Sequence, residues 1–126
     1  MIVGTYTTGE SKGIYVFQFD TVSGYSKYLS TTEITNPSYL TISKDERFVY
    51  AVSETGDKKA SANAFSFDKK EGKLTLLNTQ LTGGADPCYI SVDGEGKHVI
   101  TANYSGGNIT TFDVKGDGSL STATNV

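Results

Sequence analysis

The stretch "DPCYISVDGEGKHVITANY", Asp86–Tyr104, restates "NPSYLTISKDERFVYAVSE", Asn36–Glu54. Pro37 falls on Pro87, Tyr39 on Tyr89, Ile42 on Val92, Arg47 on Lys97, Val49 on Val99 and Ser53 on Asn103. The segments that follow also match, at a slightly shorter offset. "SANAFSFDKKEGKL" lies on "GNITTFDVKGDGSL", pairing Phe65 with Phe112, Gly72 with Gly118 and Leu74 with Leu120. The pattern occurs a third time at the N-terminus. There "GIYVFQFDTVSGY" lays Phe17 on Phe65, Asp20 on Asp68 and Gly24 on Gly72, and "VGTYT" lines up with "AVSET" and "TANYS".

Each copy reads as strands. Phe48–Ser53 and His98–Asn103 are rich in β-branched and aromatic residues. Ile14–Phe19, Ala62–Phe67 and Ile109–Val114 alternate with period two, as half-buried strands do. The intervening "SKDERF", "VDGEGK", "KKEGK" and "KGDGS" carry the Gly, Asp and Glu of tight hairpins, where positive φ is required. No window sustains the apolar spacing of a helix. The chain is predicted to be all-β.

Four strands in a unit of about fifty residues is the pattern of a β-propeller blade. Naming the strands A to D from the axis outwards, the order is B-C-D, A-B-C-D, A-B-C and a partial D. Residues 1–36 are expected to form a first blade lacking its inner strand, residues 37–86 a second, and residues 87–126 a third with a partial outer strand. That is a partial propeller of a little under three four-stranded antiparallel blades. Closed propellers hold roughly four to eight, and an open array leaves sheet faces and edges bare. The expectation is therefore that the segment belongs to a longer ring and that its first partners are the remaining blades.

Composition narrows the functional classes. The chain has 126 residues, 37% hydrophobic and 20% charged, with 14 Gly against 2 Pro and a net charge of −3. That balance suits a folded domain with many turns and offers no basic footprint for nucleic acid. No apolar run approaches the ~20 residues of a membrane helix. The start, "MIVGTYTTG", lacks the charged and apolar regions of a signal peptide. Cys88 is the only cysteine, so no disulfide forms within the chain.

Taken together, "VGTYTTGESKGIYVFQFD", "NPSYLTISKDERFVYAVSE", "DPCYISVDGEGKHVITANYSGG" and "DGSL" resemble the lactonase family of seven-bladed propellers. That family includes the propeller-type 6-phosphogluconolactonases and is related to the carboxymuconate cyclases. The resemblance implies a seven-bladed ring of which this is the N-terminal portion. It also implies hydrolysis of 6-phosphogluconolactone in the pentose phosphate route, a small sugar lactone or sugar acid as ligand, no cofactor, and a cytoplasmic setting. A ligand- or protein-binding propeller without chemistry, and a cyclase or other sugar-acid enzyme on the same architecture, are the competing readings, because fold alone does not fix function.

In a propeller the D–A and B–C connections share the face around the central channel. Here they are "TNPSY", "ADPCY", "TYTTGESKG", "SETGDKKAS" and "NYSGGN". Lactone hydrolysis needs a base for water, donors for the carbonyl oxygen and, for a phosphorylated substrate, a holder for the phosphate. Glu54, ending strand B at the mouth, is the expected base; its competing role is to pair with a lysine or bind loop backbone. Tyr6, Tyr39, Tyr89, Asn103 and Tyr104 are the expected substrate contacts. Against that, Tyr39 and Tyr89 recur at matched positions and suit packing between blades, and Asn103 suits tying its own turn. No metal site is expected, since the acidic turns around Asp93 and Asp117 lack calcium-loop spacing. His98 and Arg47 fall on the opposite face. Cys88 matches Ser38 and has no partner to activate it. The phosphate holder and the rest of the catalytic set are expected from outside this segment.

Overall fold

The computed structural model describes residues 1–126. It contains eleven strands and no helix, and so no helix long and apolar enough to cross a membrane. The strands are β1 (Ile2–Val3), β2 (Gly13–Phe19), β3 (Ser26–Glu33), β4 (Leu40–Ile42), β5 (Phe48–Ser53), β6 (Ser61–Asp68), β7 (Lys73–Leu81), β8 (Pro87–Val92), β9 (His98–Asn103), β10 (Asn108–Val114) and β11 (Leu120–Asn125). They form three antiparallel sheets in sequence order: β1-β2-β3, β4-β5-β6-β7 and β8-β9-β10-β11.

The pleat explains how the sheets stack. In β5, Val49 and Ala51 point one way and Tyr50 and Val52 the other. Val49 and Ala51 join Ile14, Val16, Phe65 and Leu74 in a core between the first and second sheets. Tyr50 and Val52 join Ala62, Ala64, Ile90, Val99, Phe112 and Leu120 in a second core between the second and third. The middle sheet is thus buried on both faces, as a blade flanked by blades must be. Tyr50 also donates its hydroxyl to the Gly118 carbonyl at 3.1 Å, tying the A–B half of one sheet to the last turn of the next.

The two ends of the chain add local detail. Only Ile2 and Val3 of the first B segment form a strand. No inner strand lies beside them, and the residues after them bond elsewhere: Thr5 Oγ1 donates to the Gly13 carbonyl at 2.7 Å, and Thr7 N donates to Asn36 Oδ1 at 2.8 Å. At the other end, β11 is a six-residue strand that pairs along β10 through two register shifts, against nine residues in β7 at the matching place.

Candidate functional site

Glu54 follows β5, where the backbone leaves the sheet. Asn36 fixes it from the D–A connection. Asn36 takes a left-handed backbone (φ 43°), which Asn tolerates better than most residues. In that conformation its carbonyl accepts from Glu54 N at 3.0 Å and its Nδ2 donates to the Glu54 carbonyl at 3.0 Å. Its Oδ1 meanwhile accepts from Thr7 N and, at 3.0 Å, from Thr7 Oγ1. One side chain therefore locks the B–C loop of the first sheet against the end of β5 in the second.

That lock brings the side chains together. The Tyr6 hydroxyl donates to Glu54 Oε2 at 2.8 Å, and the Ser38 hydroxyl donates to the same oxygen. Oε1 receives no hydrogen bond from the protein. Glu54 is half-buried, and Tyr6 is exposed. The carboxylate beside it holds the Tyr6 phenol above its ordinary range, because a phenolate would lose the hydrogen bond and face a like charge.

Tyr39 and Tyr89 meet across the second and third sheets, with ring centroids 4.8 Å apart and planes tilted at 47°. They are 43% and 45% exposed, so each ring keeps an open face. Tyr104 is 82% exposed and makes no side-chain hydrogen bond within the protein. Asn103 differs from its expected place. Its side chain is 2% exposed, and its Nδ2 donates to Thr110 Oγ1 at 2.9 Å and Asn108 Oδ1 at 3.2 Å. The pleat explains this: Asn103 lies on the face of β9 that carries Val99 and Thr101 into the inter-sheet layer. Its amide ties down its own turn, as one of the competing readings had it.

Cys88 is exposed, with Sγ 3.9 Å from the Ala102 carbonyl. His98 stands at the other end of the third sheet, with Nδ1 2.7 Å from Asp93 Oδ2 and Nε2 3.7 Å from Asp113 Oδ1. The hydrogen bond to His98 holds the Asp93 carboxyl below the usual carboxylate range. No group of His, Cys, Asp and Glu side chains assembles as a metal site. Sequence reasoning missed the part Asn36 plays. The signal was available, since Asn36 and Asp86 hold the same place before the two prolines and both adopt positive φ.

The chain also aligns with known proteins. It is 41% identical over 119 residues to a Bacillus subtilis 6-phosphogluconolactonase, covering 94% of this chain and 34% of that protein. Its fold superposes with a TM-score of 0.95 on a solved Bacteroides fragilis protein provisionally assigned as a 6-phosphogluconolactonase. That pair is 53% identical, covering 98% of this chain and 34% of the other. With the Pseudomonas aeruginosa periplasmic gluconolactonase the TM-score is 0.92 at 36% identity, covering 99% of this chain and 37% of that one. The chain thus spans about a third of the length of these relatives. The family model described as "Lactonase, 7-bladed beta-propeller" matches residues 1–126 from end to end, and the chain belongs to that lactonase family.

Proposed function

We propose that the propeller to which these three sheets contribute hydrolyses a sugar lactone, 6-phosphogluconolactone, to the open-chain acid. The observation that supports the reading is the Glu54 carboxylate with Oε2 occupied by Tyr6 and Ser38 and Oε1 open. The 41% identity to the Bacillus subtilis 6-phosphogluconolactonase supports the substrate. In this reading Oε1 accepts a proton from a water molecule as the water oxygen attacks the lactone carbonyl carbon. The ring C–O bond then breaks, and the proton passes to the departing ring oxygen. Tyr39, Tyr89 and Tyr104 offer open aromatic faces and phenol hydroxyls to the sugar ring. The pentose phosphate route and a cytoplasmic setting go with this substrate. An unphosphorylated lactone and a periplasmic setting go with the Pseudomonas aeruginosa relative.

The test is a pH-stat assay of the full-length polypeptide with 6-phosphogluconolactone. Glu54→Gln keeps the side-chain shape and removes the base, and general-base catalysis contributes roughly 10²–10⁴-fold. A kcat within threefold of the parent would remove Glu54 from the chemistry. A parent without turnover would leave the propeller as a binding protein.

A further inference from the structure

Asn36 reaches every member of the Glu54 cluster. Its carbonyl accepts from Ser38 N at 2.8 Å as well as from Glu54 N at 3.0 Å. Its Nδ2 donates to the Glu54 carbonyl at 3.0 Å. Its Oδ1 accepts from Thr7 N and Thr7 Oγ1, and its own N–H donates back to Thr7 Oγ1 at 3.1 Å. Thr7 follows Tyr6 directly. Glu54 is therefore held by both of its backbone groups, Ser38 by its N–H, and Tyr6 through its neighbour, all from one residue.

The chemistry demanded at position 36 is narrow. Thr7 N is only a donor and the Glu54 carbonyl only an acceptor, so the side chain between them must present one acceptor and one donor. An amide presents both, and Asn does so from a left-handed backbone. Aspartate would lose the donor and set a carboxylate against the Glu54 carbonyl. Glycine would keep the backbone and lose both side-chain ties.

The third sheet supplies the comparison. Asp86 stands at the place of Asn36, with φ 52°, and Tyr104 at the place of Glu54. The backbone part of the device is repeated there, since the Asp86 carbonyl accepts from Tyr104 N at 2.9 Å. The side-chain part is not. The Asp86 N–H donates to the Thr55 carbonyl at 2.9 Å, and the Thr55 hydroxyl, at the place of the Thr7 hydroxyl, donates to Asp57 Oδ1 at 2.9 Å. The turn thus forms without a side-chain tie. The tie is present where the residue it holds is the carboxylate.

We propose that Asn36 is a positioning residue that acts through Glu54. Its amide fixes the carboxylate, Tyr6 and Ser38 on one another across two sheets, and so leaves Oε1 free for the water that attacks the lactone. The catalytic consequence rests on the lactonase reading; the geometric one rests on the hydrogen bonds alone.

The experiment uses the full-length protein. Asn36→Gly keeps the left-handed backbone, and Asn36→Asp keeps the side-chain shape. Asp86→Gly adds the same backbone freedom at the matching place. With 6-phosphogluconolactone, both Asn36 variants should lower kcat roughly 10–100-fold with KM nearly unchanged, because a displacement of about 1 Å can cost about 10²-fold. Asp86→Gly should leave kcat at the parent value. In ultraviolet titration, with Tyr6→Phe as the blank, the Tyr6 midpoint that Glu54 raises in the parent should fall in Asn36→Gly, as the phenol leaves the carboxylate. Thermal unfolding confirms that folded proteins are compared. A Tyr6 midpoint unmoved by Asn36→Gly overturns the proposal. So does a kcat in the Asn36 variants no lower than in Asp86→Gly, which would make the residue a turn former only. If Asn36→Gly does not fold, the split between kcat and KM in Asn36→Asp decides. If the parent opens no lactone, the lactonase reading fails, and the Tyr6 midpoint still decides whether Asn36 holds the cluster.

Discussion

Glu54 acts on Tyr6 as a neighbouring carboxylate acts on any phenol: it accepts the proton in a hydrogen bond and repels the charge that ionisation would create. The shift of Tyr6 is therefore upward, with the Glu54 hydrogen bond as its largest cause. The sign gives a test at a single residue. As pH rises, Tyr6 should ionise later than a free tyrosine, and Glu54→Gln should bring its midpoint back down, because an amide neither repels a phenolate nor prefers the protonated phenol as strongly. Ultraviolet difference titration of the parent, Glu54→Gln and Tyr6→Phe isolates the Tyr6 transition. If Glu54→Gln leaves that transition where it was, the Tyr6–Glu54 contact is not made in solution. Asn103 carries the complementary lesson. An asparagine near a predicted mouth invites a ligand role, yet one step of pleat decides whether the amide faces substrate or the next sheet. Asn103 and its neighbour Tyr104, one buried and one 82% exposed, differ by that step.

At the scale of the element, the A–B turns of the second and third sheets solve one problem with different residues. Gly96 sits at φ 70° in one, and Glu46 sits at φ 59° at the matching place in the other. A left-handed backbone costs a non-glycine residue roughly 1–2 kcal/mol. The Glu46–Lys69 ion pair is exposed and offsets little of that. Glu46→Gly should therefore stabilise the protein. The net gain is about 0.5–1 kcal/mol once the greater freedom of glycine in the unfolded chain is counted. An unchanged or lower urea midpoint would show that the ion pair outweighs the backbone. The outer C–D turns give a second comparison. Gly24, Gly72 and Gly118 all have positive φ, but an added Cβ at Gly118 would overlap the Phe48 ring and one at Gly72 the Leu29 side chain, while one at Gly24 would meet open space. Gly118→Ala should cost roughly 2–4 kcal/mol, backbone strain plus overpacking, against about 1 kcal/mol for Gly24→Ala. Equal losses in denaturant melts would mean that the inter-sheet contact at Gly118 yields freely.

The same elements show what the sequence carries. β5 and β9 match the expected strands residue for residue, because β-branched and aromatic content and the turn before each are both local. The first B segment contributes only the short β1, and the polar groups after it bond to Gly13 and Asn36. Glu54, Tyr6 and Ser38 were legible as residues of one face, from the topology of the repeat. That Ser38 and Tyr6 share a single oxygen of Glu54 was not.

Across the whole molecule, the proposed lactonase reading makes function a property of an assembled ring. The three sheets provide one hydrogen-bonded carboxylate, Glu54, and two tyrosines, Tyr39 and Tyr89, set beside each other. Lactone opening also requires donors placed where the carbonyl oxygen gains charge, and losing one such donor typically costs about 10²–10³ in rate. It further requires a channel wall that holds the ring against Glu54, and positioning contributes on a similar or larger scale. This chain spans about a third of the length of its relatives, and the proposed lactonase reading assigns most of the wall to further blades. The 126-residue chain by itself should therefore turn over 6-phosphogluconolactone at no more than roughly 10⁻³ of the full-length rate, the loss expected from the missing donors alone. The two arms of that measurement are separable. Adding the remaining blades as a second polypeptide should restore activity if the sheets dock through the same face-to-face packing that buries the middle sheet on both sides. Turnover by the 126-residue chain within tenfold of the full-length protein would place the whole catalytic set inside these three sheets, and the ring would then be a scaffold rather than a participant.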